Sequence, residues 1–229
     1  MANLNILCAG GFRAAMEHIA PAFEKAHGMG LNLTFATPAK TREYLEAGFA
    51  FDLGVVVGTV VQAAGEQGFA IPQKTFKLAL SPIGMGVPEG GPVLSVATLP
   101  QLRAALEELE SIALSDPKAG TNLANEVLAC ADAAGLDLRA KVIFIQGPGS
   151  VVSGEVAKGV AQAVITLASE ISPIEGIRYI GKLPPELQTE YAMQVLAREP
   201  LSQEVAALLD FLTGDVARDI MLSVGLEPV

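Results

Sequence analysis

Residues 4–28 carry the clearest indication of the fold, and they begin Leu4-Asn5-Ile6-Leu7-Cys8-Ala9-Gly10-Gly11. The segment 4–9 is an apolar run with the length of a buried strand, and the two glycines follow as a turn. Apolar residues then recur at helical spacing until a glycine at position 28: Phe12, Met16, Ile19 and Phe23. A strand that passes through glycines into a helix predicts an α/β fold with parallel strands.

The same succession of strand, loop and helix recurs along the chain. Further strands are expected at residues 31–35, 52–57, 74–80, 83–87, 111–114, 142–146, 163–167 and 191–196. Further helices are expected at residues 39–47, 99–109, 122–134 and 151–158, and after the N-caps Ser202 and Asp215. Pro21 lies inside the first helix and predicts a bend or a break there. The turn-rich residues 88–92 suggest a boundary between two α/β lobes.

Composition excludes several classes of protein. Of 229 residues, 51% are apolar and 17% are charged, which is typical of a chain with a sizeable core. The 15 Lys and Arg against 25 Asp and Glu give a net charge of −10. This balance argues against a nucleic-acid partner, because such a surface needs a basic face. No apolar run reaches the ~18 residues of a membrane span, so no membrane insertion is expected.

The N-terminus, the cysteines and the histidines add further expectations. The chain enters its first strand without the basic and apolar regions of a signal peptide. We therefore expect a cytoplasmic protein, or a periplasmic one from which a signal peptide was removed. Cys8 and Cys130 lie far apart and outside any CxxC pair. His18 and His27 fall on different faces of one helix. Neither a metal nor a cofactor is expected, since Gly84-Met85-Gly86 also lacks the third glycine of a dinucleotide loop.

Four loops leave the carboxyl end of a predicted strand and enter a helix: residues 9–12, 36–39, 115–121 and 147–150. Ligands of open α/β sheets collect at such strand ends, where free helical N–H groups and the helix dipole favour anions. Several glycines there would allow close approach to the backbone: Gly10, Gly11, Gly120, Gly147 and Gly149. An anionic small molecule is therefore the expected ligand, with ordinary chain reversal as the alternative role of these glycines.

Three basic side chains stand in the first turns of helices that follow these loops: Arg13, Lys40 and Arg42. The helix dipole disfavours a cation at this end, so a bound anion would explain the placement, and both Arg and Lys bind carboxylates. The alternative is ordinary surface charge. Glu170 follows the end of a predicted strand in Ala168-Ser169-Glu170-Ile171 and is a candidate acid or base, with a structural role as its alternative.

Several pieces of the sequence follow one another in a specific order and spacing. They are Ile19-Ala20-Pro21-Ala22-Phe23-Glu24-Lys25, Leu33-Thr34-Phe35-Ala36-Thr37, Leu45-Glu46-Ala47-Gly48, Phe51-Asp52-Leu53, Ser115-Asp116-Pro117, Ala168-Ser169-Glu170-Ile171 and Gly181-Lys182-Leu183-Pro184-Pro185-Glu186-Leu187-Gln188. Over nearly the whole chain, this order resembles the molybdate-binding-protein-like branch of the type 2 periplasmic-binding-protein fold.

The resemblance implies two Rossmann-like α/β lobes with mixed sheets, residues 1–80 with 190–229 and residues 81–189, joined by a hinge of crossing strands. Such lobes close on an anion held by helix N-termini and small side chains. Together with the loops, the resemblance indicates these ligand-binding residues: Gly10, Gly11, Phe12, Arg13, Thr37, Lys40, Arg42, Gly120, Thr121, Gly149 and Ser150.

Two positions depart from the pattern of molybdate binders. Gly10-Gly11 stands where those proteins present Ser hydroxyls, and Leu167 stands where they have a Tyr. A compact oxyanion would lose those hydroxyl donors. Thr37 keeps a hydroxyl, and Lys40 adds a charge that suits a carboxylate. The expected ligand is therefore a di- or tricarboxylate rather than molybdate or tungstate.

The resemblance leaves three functions. The first is a solute-binding protein for a small organic anion, with an ABC permease as partner only if the chain is exported. The second is a cytoplasmic isomerase of an unsaturated polycarboxylate, since this branch includes proteins similar to aconitate isomerase. If this chain were such an isomerase, Arg13, Lys40 and Arg42 would hold the carboxylates of the substrate. Lys40, Ser169 or Glu170 would transfer the proton. The third is a cytoplasmic sensor domain.

Overall fold

The computed structural model describes residues 3–68 and 74–229. The chain divides into two compact units, unit 1 with Met1–Leu80 and Tyr191–Val229, and unit 2 with Ser81–Glu190. Each unit is built on a mixed β-sheet with helices, which confirms the α/β class expected from the sequence.

The strands are β1 Leu4–Ala9, β2 Leu31–Ala36, β3 Leu53–Val57, β4 Lys74–Leu80, β5 Ile83–Pro88, β6 Ile112–Ser115, β7 Val142–Ile145, β8 Ala163–Leu167, β9 Ile177–Lys182, β10 Ala192–Ala197 and β11 Glu227–Pro228. The helices are α1 Arg13–His27, α2 Pro38–Glu46, α3 Gly58–Glu66, α4 Leu99–Glu108, α5 Leu123–Ala133, α6 Gly149–Ala157, α7 Gln203–Leu212 and α8 Asp215–Ser223. Short 3-10 helices include Gly10–Phe12, Pro117–Ala119 and Ala168–Glu170.

Unit 1 contains a sheet with the strand order β11-β4-β10-β3-β1-β2. Strands β1, β2 and β3 are parallel, whereas β10 runs antiparallel to both β3 and β4. The carboxyl ends of the three parallel strands therefore lie at one edge of this sheet, and each is followed by a helix. The apolar residues identified in the sequence are buried: Phe12 at the N-cap of α1, and Met16, Ile19 and Phe23 within α1.

Unit 2 contains a sheet with the strand order β7-β6-β8-β5-β9. Strands β6, β7 and β8 are parallel, and β5 runs antiparallel to β8 and β9. Gly84 and Gly86 lie within β5. A Cβ at Gly84 would press into the ring of Tyr179, and one at Gly86 would lie 2.6 Å from Ile171 Cγ2. These glycines therefore make room for neighbouring side chains in the sheet.

The sequence predictions differ from the structure at several places. Helix α1 continues through Pro21, so the break that was one of the two expectations there does not occur, and Pro21 lies on the exposed face of the helix. Helix α8 has Gly214 rather than Asp215 as its N-cap. Helix α6 begins at Gly149, so Ser150 belongs to its first turn rather than to the preceding loop.

Helix α3 and strands β9 and β11 were not predicted from the sequence. The first four residues of α3 are Gly58-Thr59-Val60-Val61, a glycine followed by β-branched residues that favour strands. Strand β9 contains Gly181 and two charged residues, and it lies at the edge of its sheet. Within the described ranges, no helix has the length and apolar character required to cross a membrane.

Candidate functional site

At the carboxyl edge of the unit 1 sheet, Thr37 caps helix α2. Its Oγ1 accepts a hydrogen bond from the backbone N–H of Lys40 at 3.3 Å. Because this bond uses a lone pair of the hydroxyl, the Thr37 O–H proton can still be donated to a ligand. The cap also fixes the first turn of α2 beside the end of β2.

Each of the three candidate cations in unit 1 has a glutamate partner one turn further along its own helix. Arg13 Nη1 lies 3.4 Å from Glu17 Oε1. Lys40 Nζ lies 2.6 Å from Glu43 Oε2, and Arg42 Nε lies 2.9 Å from Glu46 Oε1. All three cations are exposed, and exposed pairs at this spacing add little stability. The glutamate partners therefore explain the placement of the cations without a ligand. Because these ion pairs are weak, each cation could still leave its glutamate and bind a ligand at small energetic cost.

Arg13 also joins the ends of two adjacent strands. Its guanidinium carbon lies 3.8 Å from the centroid of the Phe35 ring. Phe35 pairs with Cys8 of β1 and precedes the Ala36-Thr37 junction. The cation at the end of β1 is thereby held beside the end of β2.

The other candidates at the end of β1 differ in their accessibility. Phe12 is fully buried, so its ring belongs to the core of unit 1 and is not presented at the surface. Gly11 is buried and Gly10 is half-buried. Cys8 is fully buried and belongs to the core, and this burial raises the pKa of its thiol. Arg13 is therefore the most accessible side chain of this junction.

In unit 2, the loop after β6 is held in place by side-chain hydrogen bonds. Ser115 Oγ donates to the carbonyl of Gly147 at 2.5 Å. Asp116 accepts from Gln146 Nε2 at 2.6 Å and from the N–H of Lys118 at 2.9 Å. These bonds tie the loop after β6 to the loop after β7.

The candidate residues of this loop are Gly120 and Thr121, both half-buried. Gly120 adopts φ +89°, a left-handed conformation that favours glycine. Thr121 Oγ1 accepts from the N–H of Leu123 at 3.4 Å, at the start of α5. The Thr121 hydroxyl proton is thus available to an acceptor, as it is at Thr37.

Glu170 is buried, in contrast to the exposed cations, and only 8% of its surface is accessible to solvent. Thr166 Oγ1 donates to Glu170 Oε2 at 2.9 Å, and the backbone N–H of Gly149 also donates to this carboxylate. Burial raises the pKa of Glu170, while these two hydrogen bonds act in the opposite direction. The sequence-predicted residues Gly149 and Glu170 are thus in direct contact.

The remaining candidates for proton transfer have different environments. The Ser169 hydroxyl shares a hydrogen bond of 2.8 Å with Ser81, and both residues are buried. The hydrogen bond and charge of Glu43 raise the pKa of Lys40. Lys40 therefore stays protonated at neutral pH, which suits a carboxylate-binding cation better than a base.

Gln194 of unit 1 was not identified from the sequence as a polar residue near a strand end. It lies on β10, and its Cδ would be 3.1 Å from a Cβ built at Gly58, the first residue of α3. Its half-buried amide is therefore placed at the strand end that precedes α3. The available signal was its polarity, since Gln194 interrupts the otherwise apolar strand Ala192–Ala197. Within residues 3–68 and 74–229, no three His, Cys, Asp or Glu side chains cluster in a way that could hold a metal ion.

Solved structures share this fold across the whole chain. The periplasmic molybdate-binding protein of Azotobacter vinelandii superposes with a TM-score of 0.73 at 16% identity, covering 97% of this chain and 98% of that one. PEB3 of Campylobacter jejuni with bound L-phospholactate gives a TM-score of 0.72 at 18% identity, covering 98% and 99%. These similarities confirm the fold expected from the resemblance to periplasmic binding proteins.

A relative and a protein family match the sequence itself. Aconitate isomerase of a Pseudomonas species is 27% identical over 234 residues, which cover 99% of this chain and 88% of that protein. The family described as bacterial extracellular solute-binding protein matches residues 4–227. The chain belongs to this solute-binding protein family.

Proposed function

We propose that this solute-binding protein binds a small organic anion of the di- or tricarboxylate class at the carboxyl ends of its parallel strands. The observation that carries the proposal is the stacking of Arg13 on Phe35, which holds a guanidinium against strand β2 two residues before the Thr37 cap. A planar guanidinium binds a carboxylate through two parallel hydrogen bonds. Lys40 and Arg42 add charge from the first turn and the middle of α2.

The side chains at these strand ends favour a carboxylate over a compact oxyanion. A compact oxyanion is held best by several short hydroxyl and N–H donors, but Gly10 and Gly11 have no side chain to offer. Leu167, at the end of β8, is buried and apolar. PEB3, which shares this fold, was solved with L-phospholactate, an organic anion. That precedent supports an organic acid as the ligand here.

A thermal-shift screen tests this proposal. The protein is heated with citrate, cis-aconitate, trans-aconitate, molybdate and sulfate, each at the same concentration and ionic strength. We expect at least one carboxylate to raise the Tm and the two oxyanions to leave it unchanged, because a ligand that binds only the folded state stabilises it. Stabilisation by molybdate or sulfate alone would overturn the carboxylate assignment.

A second candidate function is isomerisation of an unsaturated polycarboxylate, favoured by the 27% identity to aconitate isomerase over almost the whole chain. The reaction removes a proton from one carbon of an allylic acid and returns a proton to another, so it consumes no electrons. Glu170 has the pKa direction that suits an acid or base near neutral pH.

Proton NMR of the purified protein with cis-aconitate distinguishes the two functions. Interconversion with trans-aconitate that disappears in Glu170→Gln would support the enzyme. Tight binding of either acid without interconversion would support the binding function and exclude the isomerase function. An Arg139→Ala variant, altered at an exposed ion pair with Asp132, serves as the control and should match the wild-type protein.

The cellular setting bears on the partner. The family is described as extracellular, which supports delivery outside the cytoplasm and an ABC permease as the partner. Fractionation of the native host with an antibody against this chain tests that setting. Recovery in the extracytoplasmic fraction supports a transport receptor, whereas recovery in the cytoplasm contradicts it and favours the isomerase.

A further inference from the structure

Strand β7, Val142–Ile145, forms one edge of the unit 2 sheet and pairs with β6 on its inner side. It reads Val-Ile-Phe-Ile, with no polar side chain. Parallel strands with such sequences are usually covered on both faces. In β7, however, 37% of the surface of Ile143 and 49% of that of Phe144 are exposed. Adjacent residues of a strand point to opposite faces, so both faces of β7 are open to a partner.

The helices that precede and follow β7 in the sequence cover mainly other strands. Helix α5 packs on β6, and helix α6 packs on β5, β6, β8 and β9. Strand β7 therefore has the sequence of an interior strand in an edge position. A further strand beside it would give this sequence the environment that it fits.

The other edge strands of the two described sheets carry the features that discourage pairing with another chain. These features are polar, charged or proline residues: Asn32 and Thr34 in β2, Arg178 and Lys182 in β9, and Glu227 and Pro228 in β11. Charged residues, prolines and short lengths are the usual protection of a sheet edge. Strand β7 has none of the charges or prolines, which marks it as the edge that is suited to an additional strand.

The free side of β7 also presents backbone hydrogen-bond groups. On the inner side, the carbonyl of Ile145 accepts from the N–H of Asp116, which follows β6. Backbone groups alternate in direction along a strand, so those of Phe144 and the carbonyl of Val142 point away from β6. The described part of the chain has no strand on that side to pair with them. These groups are therefore available to a second chain.

We propose that β7 pairs with the β7 strand of a second copy of this chain, antiparallel and about a twofold axis beside Phe144. At this register the N–H of each Phe144 donates to the carbonyl of the other. The two Phe144 rings then lie on one face of a sheet that continues through both copies, and each Ile143 lies opposite Ile145 on the other face. Every exposed apolar side chain of the strand thus meets an apolar side chain, as a self-complementary interface requires.

The charges at the two ends of β7 favour this antiparallel pairing. Lys141 precedes the strand, and its ammonium donates to the carbonyl of Leu109 rather than to a carboxylate. Asp116 lies at the other end of the strand, where its carboxylate accepts from the neutral amide of Gln146. Antiparallel pairing places the Lys141 end of one copy beside the Asp116 end of the other. Parallel pairing would instead bring like charges together.

Sedimentation equilibrium of the ligand-free protein tests the pairing. A strand of four residues makes a small interface, so we expect a dimer that dissociates on dilution. The mass should rise with concentration from the 23.7 kDa of one chain toward twice that value, between the low-micromolar and submillimolar range. A wild-type protein that stays monomeric over this range would overturn the proposal and leave β7 to a partner of another kind.

Two lysine variants test whether β7 is the interface. Phe144→Lys places like charges opposite each other at the twofold axis and should weaken association at least tenfold, with an unchanged circular dichroism spectrum. Val216→Lys alters an apolar residue of α8 that is 55% exposed, and it should associate like the wild-type protein. Equal association of Phe144→Lys and the wild-type protein would overturn the proposal.

Cross-linking tests the register. The Cα atoms of residues in a hydrogen-bonded antiparallel pair are about 5.5 Å apart, a distance that a disulfide can span. Phe144→Cys should therefore form a covalent dimer in air-saturated buffer, and Ile143→Cys, which lies opposite Ile145, should form far less. Both variants carry Cys130→Ser, because Cys130 is half-buried whereas Cys8 is buried. Equal cross-linking at the two positions would overturn this pairing, and no outcome of these experiments bears on the proposed ligand.

Discussion

The guanidinium carbon of Arg13 lies 3.8 Å from the centroid of the Phe35 ring. The first residue of α1, the helix that follows β1, is therefore held against the neighbouring strand β2. The contact restricts an otherwise exposed side chain, while its N–H groups can still bind a carboxylate. This geometry makes Arg13 the residue whose removal should affect binding most and stability least.

We expect Arg13→Ala to weaken binding of the organic anion about ten- to hundredfold, because hydrogen bonds to charged groups contribute about 1.5–3 kcal/mol. The Tm of the ligand-free protein should change little, since the lost ion pair with Glu17 is exposed. Calorimetry and thermal unfolding measure the two effects, with Arg139→Ala as the control for loss of an exposed arginine. A large drop in the ligand-free Tm would instead show that Arg13 is structural.

The loss of the α2 cap gives a second prediction. Thr37→Ala should destabilise the protein by about 1 kcal/mol, because the N–H of Lys40 loses its acceptor. Thr37→Ser keeps the hydroxyl and should restore the stability. Equilibrium unfolding in urea measures the change. An alanine variant as stable as the wild-type protein would contradict the capping role.

Two glycines of helix α6 should respond in opposite directions to the same substitution. Gly149→Ala places a methyl group into Thr166 and Glu170 and should cost about 1–3 kcal/mol or more. Gly154 has open space around its Cβ position, so Gly154→Ala should stabilise the helix by about 0.5–1 kcal/mol. Urea unfolding of both variants provides the comparison. Equal effects would show that the packing of Glu170 on the helix is not as described.

The hydrogen bond from Thr166 to Glu170 provides a pH-dependent prediction. Thr166→Val removes the donor, which should raise the pKa of Glu170 further and destabilise the protein by about 1–3 kcal/mol. The Thr166 hydroxyl stabilises mainly the ionised form of the buried carboxylate. The loss of stability should therefore be larger at pH 7.5 than at pH 4.5. Thermal unfolding at both pH values measures it. Thr166→Ser should recover the wild-type behaviour.

Local patterns in the sequence were enough to predict most of the scaffold. The apolar spacing of Met16 and Phe23 correctly predicted the buried face of α1. Ser202 caps its helix as expected, through the N–H group of Val205. Signals of this kind depend on residues three or four positions apart, which the chain itself brings together.

The environment of the candidate site depended on contacts that local patterns do not show. Glu170 and Gly149 lie far apart in the sequence and meet only because β8 and α6 pack together. Gln194 and Gly58 are brought together in the same way. The glutamate partners of the three cations were visible as neighbours at helical spacing, and counting them would have favoured surface charge as an explanation for Arg13, Lys40 and Arg42.

The most direct test of the central claim is a calorimetric titration of the wild-type protein with trans-aconitate and, separately, with molybdate at the same pH and ionic strength. The account predicts saturable binding of the carboxylate, weakened by Arg13→Ala, and no heat of binding for molybdate. Tight binding of molybdate with none of trans-aconitate would contradict it.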